Sequence, residues 1–107
     1  MKQAMADPIR IRAKSNDGIT EVMLLMLHPM ETGLGVDASG RGRRAHYIRD
    51  VEVNLGDRTL LRARLSIAVS RDPLIAFRFK GGSKGDRINV LWTDNLGERG
   101  AGSASIA

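Results

Sequence analysis

Two histidines, His28 and His46, are the residues of this chain best suited to chemistry. Imidazole can ligate a metal or move a proton near neutral pH. A metal would need carboxylates beside them, which Glu31 or Asp37 could supply. The spacing matches no known ligand motif, so the plainer reading makes each a hydrogen bonder at the end of a strand. A hydrolytic triad of Ser39, His46 and Asp37 can be written on paper. Any chain holding these common residues allows that, so it carries no weight. The absence of cysteine excludes a thiol nucleophile, a thiolate metal site and a disulfide framework together. No catalytic residue, cofactor or metal is therefore expected.

The stretches Gly33–Ala38 and Gly40–Ala45 both fit the letters G-x-G-x-x-A. A dinucleotide loop works by delivering a pyrophosphate to a helix N-terminus. Neither stretch opens a helix, so both are discarded. Gly40-Arg41-Gly42-Arg43-Arg44 raises nucleic acid, since arginine–glycine patches attract phosphates. The net charge of +5 favours acidic partners in general. Aromatic content is only 4%, and Phe77, Phe79 and Trp92 fall on the parity of a core, leaving Tyr47 alone for stacking. Nucleic acid is not expected as the partner. A stand-alone basic module that binds nucleic acid or another acidic partner is the alternative reading.

The elements that would hold these side chains have a hydrophobic period of two. Ile9, Ile11 and Ala13 alternate with Arg10, Arg12 and Lys14. The same beat recurs over Val51–Leu55, Leu61–Leu65, Ile75–Lys80 and Ile88–Thr93. Each reads as a strand with one face on a core and the other in solvent. Val22–Leu27 is apolar without alternating, as in a central strand covered on both faces, one cover being a partner. Turn chemistry separates the runs: Ser15-Asn16-Asp17-Gly18, Gly56-Asp57-Arg58, Arg71-Asp72-Pro73, Gly81–Asp86 and Asp94–Gly97. Gly100–Ser105 is nearly all small residues and gives the weakest strand signal. Pro29–His46 is one long loop, beyond the length of ordinary connections. The expected fold is an all-β, immunoglobulin-like β-sandwich of about seven antiparallel strands. The 107 residues make one domain, with Met1–Asp7 a flexible N-terminus. No apolar run reaches the roughly 20 residues of a membrane helix, and no signal peptide is read at Met1–Arg10.

Several collinear stretches make the chain resemble the SoxZ family. They are Ala6–Ala13, His28-Pro29-Met30-Glu31-Thr32-Gly33-Leu34, Asp37-Ala38-Ser39-Gly40 and Ala45-His46-Tyr47-Ile48. Ala76–Gly82, Lys84-Gly85-Asp86 and Trp92-Thr93-Asp94-Asn95 continue the series. The resemblance implies a non-catalytic scaffold that pairs with SoxY. SoxY carries sulfur intermediates on a C-terminal cysteine during thiosulfate oxidation. It also implies transient contacts with other Sox enzymes and a periplasmic location, reached by export with a partner bearing the signal. Without SoxY, the apolar partner face would be open to self-association.

The expected partner interface comprises Met23, Met26, His28, Pro29, Met30, Glu31, His46 and Tyr47. The methionines are placed there because thioether side chains adapt to irregular surfaces. The loop residues are placed there as the contact for a carrier arm or the enzymes acting on it.

Overall fold

The computed structural model describes residues 9–36, 39–42 and 44–107. Asp37, Ala38, Arg43 and the N-terminal stretch through Pro8 lie outside the described residues, and with them the readings placed on Asp37 and on Met1–Asp7. Seven strands are present: β1 (Ile9–Asn16), β2 (Ile19–Met26), β3 (Ile48–Leu55), β4 (Arg58–Arg64), β5 (Leu74–Lys80), β6 (Arg87–Asp94) and β7 (Arg99–Ser105). They form an antiparallel β-sandwich, one sheet ordered β1-β2-β5 and the other β4-β3-β6-β7.

The alternation read in the sequence is the alternation of burial. Val22, Leu24 and Met26 of β2 face Val51 and Val53 of β3 and Ile88, Val90 and Trp92 of β6 in one core. Each fully buried aliphatic side chain there contributes about 1.5–3 kcal/mol relative to exposure. Phe77 and Phe79 pack against this core, as their parity requires.

Strand β2 departs from the expectation of cover on both faces. It is the central strand of its sheet, and its inward residues are wholly buried. Its outward residues are not: Met23 is 45% exposed and Ile19 41%. The run lacks hydropathic alternation because both faces are apolar, yet this chain covers only one.

Turn residues set the register. Asp17 and Gly18, at φ 53° and 79°, join β1 to β2 with two left-handed residues. This primed geometry matches strand twist, and Asp-Gly is a sequence that adopts it. The weak final strand also has a packing reason. A Cβ on Gly100 would overlap the indole of Trp92, and one on Gly102 would lie 3.2 Å from Ile9 Cβ. The small residues of β7 let it lie close against the core.

The long loop is a folded excursion rather than an open one. Glu31 N–H donates to His46 C=O (2.6 Å) and His46 N–H returns to Glu31 C=O (2.9 Å). A second bridge pairs Val36 with Gly42. The loop is thus a distorted hairpin, with Leu34 at 85% and Val36 at 61% exposure in its outer half.

Candidate functional site

His28 lies just beyond β2, His46 just before β3, and Asp94 ends β6. The Glu31–His46 backbone pair folds the loop so that the histidine rings meet, centroids 4.5 Å apart. Their ligating atoms and a carboxylate oxygen of Asp94 all lie within 4.8 Å of one another. His28 Nε2 lies 3.2 Å from Asp94 Oδ2, and His46 Nε2 lies 2.7 Å from the same oxygen. Glu98 Oε1 lies 3.2 Å from His46 Nε2 on the solvent side. The edge of the Trp92 indole closes the inner side, its ring centroid 5.2 Å from that of His28.

Asp94 is the keystone of this cluster. Its side chain is fully buried, which for a lone carboxylate would be costly. Its other oxygen, Oδ1, accepts the backbone N–H groups of Leu96 and Glu98, each at 2.9 Å. Burial by itself pushes the carboxyl pKa up. The hydrogen bond from His28, that from the Glu98 backbone, then those from His46 and Leu96 outweigh it, and the pKa falls below its ordinary value. Asp94 is a buried anion with both carboxylate oxygens directed at donors.

The tautomer of His28 decides what the cluster can do. Met30 N–H donates to His28 Nδ1 at 3.0 Å, so that nitrogen is an acceptor. In the neutral ring the proton then resides on Nε2, pointing at Asp94. A metal at Nε2 would need the lone pair that this proton occupies. His28, His46 and Asp94 therefore form a hydrogen-bonded clamp that ties the ends of β2, β3 and β6. The spacing of the three ligand atoms would admit a metal ion, but the hydrogen bond from Met30 N–H to His28 Nδ1 argues against one. The clamp holds no nucleophile either. Trp92 Nε1 is buried without a hydrogen-bond partner among the described residues.

The clamp is reinforced from both sides. His28 N–H donates to Asp72 Oδ1 at 2.9 Å, and Asp72 N–H donates back to His28 C=O at 2.9 Å. Asn95 Oδ1 accepts from Tyr47 N–H (2.8 Å), and Asn95 Nδ2 donates to Ala45 C=O (2.9 Å).

The residues expected at a partner interface separate in the structure. Met23 is exposed on the outer face of β2. Met26 is 0% exposed and belongs to the core, because its parity on β2 is opposite. Met30 is also buried, and its sulfur accepts Ile48 N–H at 3.2 Å. His28 is buried in the clamp, so Met26, His28 and Met30 offer a partner no surface. Pro29 is exposed, while Glu31, His46 and Tyr47 are half-buried along the loop base. A metal site at the histidines would have needed Glu31 or Asp37, and Asp37 lies outside the described residues. Glu31 instead pairs with His46 through its backbone, and Asp94, far along the chain, supplies the carboxylate. The available signal was a carboxylate closing a core strand two residues after Trp92.

The sequence profile described as sulphur oxidation protein SoxZ matches residues 9–105. The chain belongs to the SoxZ family. The clamp residues His28, His46 and Asp94 all lie inside the matched span. No curated protein sequence matches this SoxZ chain. Among solved structures it is similar to a superoxide reductase in the oxidised state, at 14% identity and TM-score 0.64, over 99% of this chain and 94% of that one. It is also similar to superoxide reductase from Nanoarchaeum equitans, at 12% identity and TM-score 0.63, over 98% and 99%. A third is the superoxide reductase (neelaredoxin) from Ignicoccus hospitalis, at 19% identity and TM-score 0.60, over 92% and 77%. Likeness at these identities establishes a shared sandwich and nothing about chemistry. SoxZ places this chain in sulfur oxidation; the reductases share only its fold.

Proposed function

We propose that this chain is the non-catalytic subunit of a sulfur-carrier heterodimer, pairing with a SoxY chain whose C-terminal cysteine holds the sulfur intermediate. One observation carries the reading beyond family membership. The cluster best equipped for chemistry, His28–His46–Asp94, is committed to holding strands together. A cysteine-free chain cannot hold sulfur through a thiolate of its own, so covalent carriage requires a second subunit. What this chain contributes is rigid surface, supplied by two sheets and the excursion between β2 and β3. The exposed Pro29, Leu34 and Val36 side of that excursion is the contact proposed for the arm or for enzymes that act on it. The complex is proposed to work in the periplasm, exported on its partner's signal.

The test is co-expression with a SoxY chain from the same organism. The expected result is a stable one-to-one complex on size exclusion, with sulfur mass added only to the partner's cysteine. A SoxY chain that purifies alone and remains active in thiosulfate-dependent turnover would overturn the reading.

A further inference from the structure

The two outer faces of the sandwich differ in kind. On the four-stranded sheet the outward arginines of β4 have carboxylates across the strand, Arg62 3.4 Å from Glu52 and Arg64 3.4 Å from Asp50, and Arg87 of β6 donates to the hydroxyls of Ser103 and Ser105. On the three-stranded sheet an apolar strip runs across β2 and β5. Leu25 stands opposite Leu74, and Met23 opposite Ala76. Leu74 is 61% exposed and Met23 45%. Together with Arg10 and Arg12 they line an open depression. The strip is bordered along β1 by Arg10, Arg12 and Lys14, which have no ion-pair partner among the described residues. Arg78 and Lys80 follow on β5, and Glu21 is the sole carboxylate on the strands of this face, already paired with Arg78 at 3.3 Å.

An apolar centre with unmatched cations along its β1 border is half of a complementary pair. Three occupants are conceivable. A second copy of this chain would set cationic borders against cationic borders, since β1 and β5 are both basic on this face. A nucleic acid would lay phosphates over Met23, Leu25 and Leu74, where no aromatic ring is exposed for stacking. A different protein, with an apolar ridge edged by carboxylates, satisfies both the strip and the cations. We propose that the outer face of β1-β2-β5 docks an acid-edged apolar surface of the SoxY subunit, Arg10, Arg12 and Lys14 lying against its carboxylates. This rests on the pairing proposed above and adds where and with what chemistry it occurs.

The test measures SoxY affinity by calorimetry for the full chain and its variants. Met23→Glu and Leu74→Glu place a carboxylate in the strip and are each expected to weaken binding about tenfold or more. The double variant Arg10→Glu/Arg12→Glu is expected to weaken it further as salt is lowered, reversing the salt dependence of the parent chain. Leu91→Glu, on the opposite face and 43% exposed, is expected to bind as the parent does. All these side chains are exposed, and unchanged melting curves check that each variant folds. If the parent binds SoxY and the Met23 and Leu74 variants match Leu91→Glu, the docking face is wrong while the pairing stands. If the parent does not bind SoxY at all, the pairing itself fails and this inference with it. If Met23→Glu instead abolishes self-association or oligonucleotide binding and spares SoxY, the face belongs to that other occupant and the proposal is overturned.

Discussion

Met30 selects the tautomer of the neutral His28 ring: its backbone N–H donates to Nδ1 at 3.0 Å. Met30 adopts φ 50° to do so, a left-handed conformation uncommon for a residue with a long side chain. Its sulfur, meanwhile, accepts Ile48 N–H. One buried residue thus orients the imidazole and anchors the start of β3.

That relationship makes a prediction about metals. Stoichiometric zinc or iron(II) added to the purified protein is expected to leave its melting temperature unchanged, because the Nε2 lone pair of His28 is not available. Elemental analysis checks the same point. One bound metal per chain that disappears in His28→Ala would contradict it.

Asp94→Asn is expected to destabilise the fold by about 2–4 kcal/mol. The amide can still accept Leu96 and Glu98 N–H through its oxygen, but its NH2 group then faces the two Nε2 atoms. Denaturant unfolding at neutral pH measures the loss.

The acid dependence follows from the same carboxyl. Its folded-state pKa lies below the ordinary 3.8. A group lowered by folding adds stability that is fully present above its unfolded pKa. That stability drains away as pH falls through the folded value. Stability of the parent chain should therefore decline below about pH 4, and Asp94→Asn should remove part of that slope. Parallel declines in both proteins would assign the acid limb to other carboxylates.

Met23 and Met26 should behave as opposites. Met26→Ala leaves a cavity in a well-filled core and is expected to cost about 2–5 kcal/mol. Met23→Ala, on the open face, should stay within about 0.5 kcal/mol. Unfolding curves of the two single variants suffice to compare them.

Gly100→Ala should destabilise by about 1–3 kcal/mol, since the added methyl must displace the Trp92 indole. Gly97→Ala is the useful comparison: a methyl there meets nothing, so only the strain of its φ of 87° remains. Equal losses at both positions would mean that the contact with the indole is not what requires glycine.

The strand framework was legible because period two is a local property. Ile88, Val90 and Trp92 declare their face with no knowledge of their neighbours. The Asp17-Gly18 turn was legible for the same reason, since its backbone demand is met by those two residues alone. Strand β7 was barely visible because its small residues answer to Trp92 and Ile9 on other strands. The clamp was half visible. The histidines bracket one loop, but Asp94 joins them only after β6 pairs with β3. Strand parity separates Met26 from Met23, yet in a run apolar at every position it takes the pairing register to say which points inward.

Beyond β7, Ala107 N–H donates to Ala13 C=O and Ser15 N–H donates to Ala107 C=O, at 2.9 and 3.0 Å. The outer margin of β1 is thereby occupied over Ala13–Ser15, where an exposed strand would otherwise recruit a neighbour. Sheet-to-sheet polymerisation is blunted on that flank. The margins of β4 and β5 have no such cap among the described residues, so aggregation under stress should begin there.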